Sequence, residues 1–307
     1  MTVHSFRVVR IISRGQAYTW GDRFALLLDL TKIRISLLAT LTTATGYLLA
    51  AGRITLHVLV PATAVFLLAC GSCALNQYQE REIDRLMERT KLRPIPSGRL
   101  NPETALWISM GLVFSGCLIL LCGTTFRGLI LGLLAILWYN LVYTPLKQKT
   151  RFAAVPGALV GAIPPALGWV TGGGSMFDPR IWGVSLFFLI WQIPHFWLLL
   201  FDISKDYEKA GLPSLTQLFS TQQMKKIIFV WLLSTGVVGL SFPLFGLIHF
   251  DSVYACLLAV TLWFSWNAIY FLRLSSHKTT FRIVFMNLNV YALALLFLLS
   301  MDRLLSP

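Results

Sequence analysis

Two groups of oxygen-bearing side chains stand at helical spacing beside long apolar segments. The first is Asn76, Glu80 and Asp84, at i, i+4 and i+8, and the second is Asp202 and Asp206, again four residues apart. Steps of four residues keep side chains on one face of an α-helix, so each group presents its oxygens together. Carboxylates at the edge of a lipid-embedded segment are costly, and a functional role is the default hypothesis for both groups.

These five residues are candidate metal ligands and catalytic residues. Magnesium binds proteins through a few carboxylates and completes its shell with water and substrate phosphates. Two facing acidic helix ends could therefore hold a diphosphate through bridging Mg²⁺, which would stabilise charge on the leaving group. The alternative is a solvated loop with ordinary ion pairs, and the presence of two matched clusters makes that interpretation the weaker one. The basic residues on the same side that could contact phosphate directly are Lys32, Arg34, Lys91, Arg93, Lys147 and Lys205.

The composition places these groups in a membrane protein. Hydrophobic residues make up 56% of the 307 residues and charged residues only 13%, with a mean hydropathy of +0.69. A soluble domain of this length carries about a quarter charged residues. The net charge of +13 could suggest a nucleic-acid partner, but the basic residues lie between apolar runs, as membrane topology requires. We therefore expect membrane lipid, and no nucleic acid, around the chain.

Apolar stretches near the length of a bilayer crossing predict an all-α, polytopic membrane protein with nine transmembrane helices. We expect one membrane-embedded domain over 1–307, of which 1–30 form a cytoplasmic N-terminal segment. The short gap at Gly123 predicts a tight hairpin between the third and fourth spans. The predicted spans are 34–52, 57–79, 103–123, 125–145, 153–171, 181–202, 226–247, 252–272 and 283–301.

The distribution of basic residues predicts the orientation of these spans. Of the 26 Lys and Arg, 22 fall on the side that holds the N-terminus and the loops after spans two, four, six and eight. The positive-inside rule places that side, with both acidic groups, in the cytoplasm and the C-terminus outside. A bacterial plasma (inner) membrane is the first expectation. A mitochondrial inner membrane is the alternative, because the first twenty residues contain no acid.

Four stretches give the sequence a family resemblance. The chain resembles the UbiA superfamily of membrane prenyltransferases and, within it, the protoheme IX farnesyltransferase (heme O synthase) branch. Glu80 stands where the superfamily signature has Asp. Asp202 follows the general superfamily pattern, whereas the heme branch mainly keeps the later residue, Asp206. The stretches are 76–98, 143–147, 161–169 and 191–196, the last followed by Asp206-Tyr207 and Ala210-Gly211-Leu212-Pro213.

The resemblance implies nine helices around a central lipid-open cavity, with Mg²⁺ and the diphosphate at its cytoplasmic mouth. It implies that farnesyl diphosphate ionises, that the allylic cation alkylates a vinyl group of heme B, and that water completes the product, heme O. His195 lies inside span six and could ligate the heme iron, contact a propionate or form an interhelical hydrogen bond. A heme A-forming enzyme or a terminal oxidase assembly is a possible partner. Aromatic faces that could stabilise the cation, or simply pack between helices, are Trp138, Tyr139, Tyr143, Trp169 and Trp197.

Two other functions fit the same pattern. A prenyltransferase of this family could act on an aromatic quinone precursor, although the histidine in span six argues against that acceptor. A heme-binding membrane protein or a transporter would belong to a different class. The carboxylates cluster at one membrane face and not at the midplane, which favours an enzyme over a transporter.

Overall fold

The structure, a computed structural model, describes residues 19–274 and 278–306, apart from the side chains of Asp202 and Lys278. In this part the chain is all-α. Turns of 3₁₀ helix lie at Leu56–Val58, Leu215–Gln217 and Phe242–Phe245, and a π-helix at Trp138–Tyr143. The α-helices are α1 (Trp20–Thr31), α2 (Ile33–Ala51), α3 (Leu59–Gln79), α4 (Arg81–Leu86), α5 (Pro102–Gly123), α6 (Phe126–Leu137), α7 (Thr144–Leu146), α8 (Ala154–Gly157), α9 (Leu159–Thr171), α10 (Pro179–Lys209), α11 (Thr221–Leu240), α12 (Asp251–Arg273) and α13 (Lys278–Leu305).

Nine helical segments of the described chain are long and apolar enough to cross a membrane, which confirms the predicted number. The hairpin at Gly123 is also observed, because α5 ends there and α6 begins three residues later. The seventh span differs from the prediction: it begins earlier and ends at Leu240, where a 3₁₀ turn containing Pro243 replaces the helix. The segments are Ile33–Ala51, Leu56–Gln79, Pro102–Gly123, Phe126–Leu146, Ala154–Thr171, Pro179–Phe201, Thr221–Leu240, Asp251–Arg273 and Thr279–Leu305.

Polar caps fix where several of these helices begin. The side chain of Asn101 accepts a hydrogen bond from the backbone N–H of Glu103 at 2.9 Å, at the start of α5. Asp178 caps α10 in the same way through the N–H of Arg180, at 2.9 Å. Each cap precedes a proline at the first helical position, which suits a residue that has no N–H to donate. These caps fix where α5 and α10 begin.

Helices α2 and α9 touch backbone to backbone at two glycines. A Cβ atom at Gly46 would overlap the carbonyl group of Pro165, and one at Gly168 would overlap the carbonyl of Thr43. Small residues allow this close approach between transmembrane helices, where dispersion and not the hydrophobic effect drives packing. The contact fixes two walls of the central cavity relative to each other.

A helix that was not predicted, α1, lies within the segment expected to precede the first span. A capping box between Thr19 and Asp22 begins it. Its inner face buries Leu30, which packs in a small cluster with Ala74 of α3 and Ile95. Its outer face exposes apolar side chains such as Trp20, so the helix has the character of an interfacial helix.

Candidate active site

The central cavity has a volume of about 770 Å³ and is enclosed by α2, α3, the α6–π-helix segment, α9, α10 and α13. Its depth is lined by apolar side chains such as Leu68 and Leu167, whereas polar and charged side chains gather at one end, which we call the mouth. Ile35 of α2 and Leu293 of α13 line the cavity and are also exposed on the outer surface. The cavity therefore opens toward the lipid-facing side of the bundle, as the family resemblance implies.

The first acidic group spans the junction of two helices: Asn76 lies in the last turn of α3, Asp84 lies in α4, and Glu80 lies between them. Although α3 ends at Gln79 and Glu80 leaves the helical conformation, the helical hydrogen-bond spacing continues across the break. The N–H of Glu80 donates to the carbonyl of Asn76 at 3.0 Å, and the N–H of Asp84 donates to the carbonyl of Glu80 at 2.8 Å. All three side chains line the mouth, as their spacing predicts.

Each member of this group faces a basic side chain across the mouth. Lys147 lies 2.5 Å from Glu80, and both side chains are mostly buried. Arg93 binds Oδ2 of Asp84 at 2.7 Å, and the Asp84 side chain is only 1% exposed. Lys32 donates to Oδ1 of Asn76 at 3.0 Å. The mouth therefore holds opposite charges in contact, away from bulk water.

Burial and neighbouring charges shift the pKa of groups at the mouth. Burial is the main cause that lowers the pKa of Lys32 from 10.5 to about 8, and the charges of Arg93 and Lys147 add to the effect. Burial pushes the pKa of Glu80 upward, but contacts with Lys147, then Lys32 and Asn76, outweigh it and leave that pKa below its ordinary value. At neutral pH the mouth therefore presents an ionised Glu80 and a lysine close to its titration range.

The π-helix orients side chains toward Asn76. The hydroxyl of Thr144 donates to the carbonyl of Tyr139 at 2.9 Å and accepts from Nδ2 of Asn76 at 3.2 Å. The wider turn also places Tyr139 and Tyr143 on the cavity wall, with the ammonium of Lys147 over the Tyr143 ring at 5.1 Å from its centroid. π-Helical turns within α-helices are frequently found at functional sites, and this one builds a wall of the mouth.

The second acidic group lies on α10, which continues beyond the membrane span to Lys209. Oδ2 of Asp206 accepts a hydrogen bond from the backbone N–H of Arg89 at 3.1 Å. The loop after α4 therefore meets the end of α10, but the Asp206 side chain does not itself line the cavity. The side chain of Asp202 lies outside the described residues.

Some predicted site residues lie away from the cavity. Arg34 and Lys205 are exposed and do not line it. Lys91 pairs with Glu88 at 2.5 Å on the surface, because the loop turns its side chain outward. Predicted site residues that line the cavity are Lys32, Asn76, Glu80, Asp84, Arg93, Tyr139, Tyr143, Lys147, His195 and Trp197.

Two aromatic candidates pack in the bundle instead of lining the cavity. The indole N–H of Trp138 donates to the carbonyl of Pro156 at 2.7 Å. The indole of Trp169 donates to the carbonyl of Ser175 at 2.9 Å, near the opposite membrane face. Their hydrogen bonds fix both rings in structural positions, so these two rings follow the packing alternative.

Sequence reasoning gave no site role to several polar residues on the cavity wall, among them Arg89, Arg151 and Tyr207. Burial, followed by the charge of Arg93, lowers the pKa of Arg89. Arginines are numerous on this side of the membrane, and their spacing does not indicate which of them turn inward. Only the short distance of Arg89 from Asp84 in sequence could have suggested that Arg89 lines the cavity.

His195 lies deeper in the cavity, on α10 after Pro194. Its ring is flanked by Trp191, with centroids 4.5 Å apart, and by Phe285 of α13, at 4.7 Å. Its Nδ1 atom is buried and has no hydrogen-bond partner among the described residues. A polar atom buried without a partner is costly, so this nitrogen is a candidate contact for a bound molecule.

The residues at the mouth fit a magnesium–diphosphate complex. Oδ1 of Asp84 is buried without a hydrogen-bond partner in the described part of the chain, while Glu80 and Asn76 add further oxygens nearby. The described side chains form no group of three His, Cys, Asp or Glu able to enclose a metal by themselves. A magnesium ion here would therefore share phosphate oxygens and water, as this ion commonly does.

The fold and the site define a class of protein: a polytopic α-helical membrane protein with a charged mouth above an apolar, lipid-open cavity. The UbiA prenyltransferase family matches residues 39–290, and the chain belongs to this family. A protoheme IX farnesyltransferase of Geobacter sulfurreducens is 38% identical over 220 residues, which cover 72% of this chain and 81% of that protein. The resemblance to the protoheme IX farnesyltransferase branch is thereby confirmed.

Solved structures agree with the fold. A structure of digeranylgeranylglyceryl phosphate synthase superimposes with a TM-score of 0.74 at 19% identity, covering 92% of this chain and 99% of that one. A UbiA homolog from Archaeoglobus fulgidus, bound to GPP and Mg²⁺, gives a TM-score of 0.63 at 17% identity over 89% of this chain and 99% of that one. Within the residues that the structure describes, the prediction of nine transmembrane helices around a cavity is confirmed, and the chain is an integral membrane protein.

Proposed function

We propose that this enzyme transfers a farnesyl group from farnesyl diphosphate to a vinyl group of protoheme IX (heme B), giving heme O in a Mg²⁺-dependent reaction. The observation that carries the proposal is the mouth itself: paired acidic and basic side chains gathered above an apolar cavity that contains a buried, unpartnered histidine nitrogen. The farnesyltransferase named among the relatives and the GPP- and Mg²⁺-bound homolog support this choice of donor, acceptor and metal.

The mouth binds the diphosphate. Asn76, Glu80 and Asp84 would hold magnesium, together with Asp206 and Asp202 from the other helix end. Bound Mg²⁺ supplies Lewis-acid stabilisation of the leaving diphosphate. Lys32, Arg93 and Lys147 donate charge-assisted hydrogen bonds to the diphosphate oxygens, which makes diphosphate a better leaving group.

The apolar cavity protects the allylic cation once the diphosphate departs. Its lining excludes water, which would otherwise capture the cation before the acceptor does. Tyr139 and Tyr143 lie between the mouth and the apolar depth, and their ring faces can stabilise positive charge. The cation alkylates the terminal vinyl carbon, and water then adds to the resulting cation next to the porphyrin and releases a proton.

His195 is placed to contact the heme acceptor. Its flanking rings, Trp191 and Phe285, hold the imidazole in a fixed orientation inside the cavity, and Nδ1 remains available. The contact would be made to the iron or to a propionate. We further propose a bacterial plasma membrane with the mouth in the cytoplasm, and a heme A-forming enzyme or an oxidase assembly as consumer of the product.

The test uses the purified enzyme in lipid nanodiscs with heme B, farnesyl diphosphate and Mg²⁺. Chromatography with mass detection should show a product heavier than heme B by a farnesyl group and a hydroxyl group. A parallel reaction replaces heme B with an aromatic quinone precursor. Prenylation of that precursor without a heme product would reject the acceptor, and heme binding without any prenylated product would indicate a heme-binding protein instead.

A further inference from the structure

Gln77 follows Asn76 in α3 and is 1% exposed, yet it does not line the cavity. Its Nε2 atom donates to the carbonyl oxygens of Asp29 at 2.8 Å and Leu30 at 2.9 Å. These carbonyls belong to the last turn of α1, where backbone acceptors have no partner within the helix. Gln77 therefore closes the C-terminal end of α1 and ties it to α3.

The residue two positions beyond this attachment is Lys32. It joins α1 to α2 with φ 48° and ψ 52°, the one positive φ of a non-glycine residue within the described chain. Because a Cβ atom disfavours this left-handed conformation, the surrounding structure must hold the residue there. Held in this way, the ammonium reaches Oδ1 of Asn76 and the cavity mouth.

Attaching α1 through the Gln77 amide has a cost in free energy, because it buries both polar atoms of that amide. Its Oε1 atom is buried and has no hydrogen-bond partner among the described residues. An apolar side chain of similar size would pack against Leu30 without that cost, so the contribution of the amide lies in its two bonds to α1.

We propose that Gln77 is a positioning residue for the diphosphate site: by binding the last carbonyls of α1, it keeps Lys32 in the left-handed conformation that points the ammonium into the mouth. The inference rests on the proposed function, since it assumes that Lys32 binds the diphosphate. Gln77 itself touches neither substrate nor metal. Two consecutive residues of α3 then act on the same lysine, Asn76 at its ammonium and Gln77 through the carbonyls of Asp29 and Leu30 that precede it.

The experiment measures binding of farnesyl diphosphate with Mg²⁺ to the full-length protein in nanodiscs. Loss of one charge-assisted hydrogen bond should weaken binding about tenfold or more in Lys32→Met. Gln77→Met should weaken it by a similar factor. The double variant should bind no worse than Lys32→Met alone, because both changes remove the same interaction. Gln77→Asn keeps the amide but shortens the side chain, and it should also weaken binding of farnesyl diphosphate. This variant replaces Gln77→Met in the test if the methionine variant does not fold.

Lys225 offers a matched control. It is buried and likewise donates to carbonyls at a helix end, those of Leu272 at 3.2 Å and Leu274 at 2.6 Å, away from the cavity lining. Lys225→Met should lower the thermal stability but leave the affinity within about twofold of the wild type.

The outcomes separate the two proposals. Gln77 variants that lose stability but bind farnesyl diphosphate normally would show a purely structural role and overturn the inference. So would effects of Gln77→Met and Lys32→Met that add in the double variant. A wild-type protein that fails to bind farnesyl diphosphate with Mg²⁺ would instead reject the proposed function.

Discussion

Asp84→Asn is the sharpest test of the metal site, because it removes a charge while keeping the size of the side chain. The native carboxylate is fully buried at the mouth. One oxygen binds Arg93 at 2.7 Å, and the other has no hydrogen-bond partner among the described residues. The substitution therefore removes the charge that pairs with Arg93 and weakens the oxygen that we assign to magnesium.

The expected size of the effect follows from these contacts. Loss of one preorganised electrostatic contact to a developing charge lowers kcat by about 10²–10³-fold. Leaving Arg93 without its anion also destabilises the ligand-free protein. A fully buried pair that loses one partner costs about 3–5 kcal/mol. Because the Arg93 side chain is 16% exposed, we expect a smaller cost here, and the protein should still fold.

The assay compares thermal unfolding in detergent with and without Mg²⁺ and farnesyl diphosphate, alongside turnover. At a ligand concentration one hundred times Kd, the wild type should gain about 2.7 kcal/mol. Asp84→Asn should lose most of that gain. Asp178→Asn is the control, because Asp178 also pairs with an arginine, Arg180 at 2.6 Å, but lies in the loop at the opposite membrane face. Near-normal turnover and ligand stabilisation in Asp84→Asn would refute the metal assignment.

Three further substitutions test other parts of the site. Asp206→Ala removes the acceptor of the Arg89 N–H, and transfer should fall at least about a hundredfold while the protein stays folded; activity within threefold of the wild type would contradict its role as a ligand. His195→Leu should leave farnesyl diphosphate binding intact but weaken heme binding, measured by absorbance titration, and equal weakening of both ligands would argue for a general packing defect. Gly168→Ala should destabilise the fold by about 1–3 kcal/mol, because its Cβ would overlap the Thr43 carbonyl; unchanged thermal unfolding would show that α2 and α9 can separate freely.

The membrane architecture was predictable from the sequence because its signal is local. A span needs about 20 apolar residues, and basic residues gather on one side, so nine segments could be counted without knowledge of their packing. The exception is α1, whose capping residues Thr19 and Asp22 were visible in the sequence. Its exposed apolar face and short length make it resemble neither a span nor a loop.

The candidate site was only partly predictable. Spacing of four residues correctly places Asn76, Glu80 and Asp84 on one wall, because the helical hydrogen-bond spacing continues across the break at Glu80. Lys91 and Arg93 lie on the loop after α4, where the chain direction depends on tertiary contacts. Lys91 therefore turns outward while Arg93, two residues later, turns inward to Asp84.

The π-helix was beyond the reach of the sequence pattern, because its wider turn depends on contacts between distant segments. The side chain of Thr144 bonds the carbonyl of Tyr139 within the turn and also meets Asn76 of α3, 68 residues away. Tyr139 and Tyr143 reach the cavity through this distortion. In a regular α-helix, Tyr139 and Tyr143 would point in directions around the helix axis that differ from those observed.

The charge pairing at the mouth explains how the site can hold a highly charged substrate at the edge of a membrane. Glu80 and Asp84 pair with Lys147 and Arg93, while Lys32, Arg89 and Arg151 also line the cavity, so the lining carries more positive than negative charge. In the proposed complex, Glu80 and Asp84 would hold magnesium in place of their basic partners, and Lys147 and Arg93 would bind phosphate oxygens in place of the carboxylates. Neither exchange is favourable alone, because it would leave one buried charge unpaired. The pairing at the mouth therefore favours joint binding of magnesium and diphosphate in the proposed reaction.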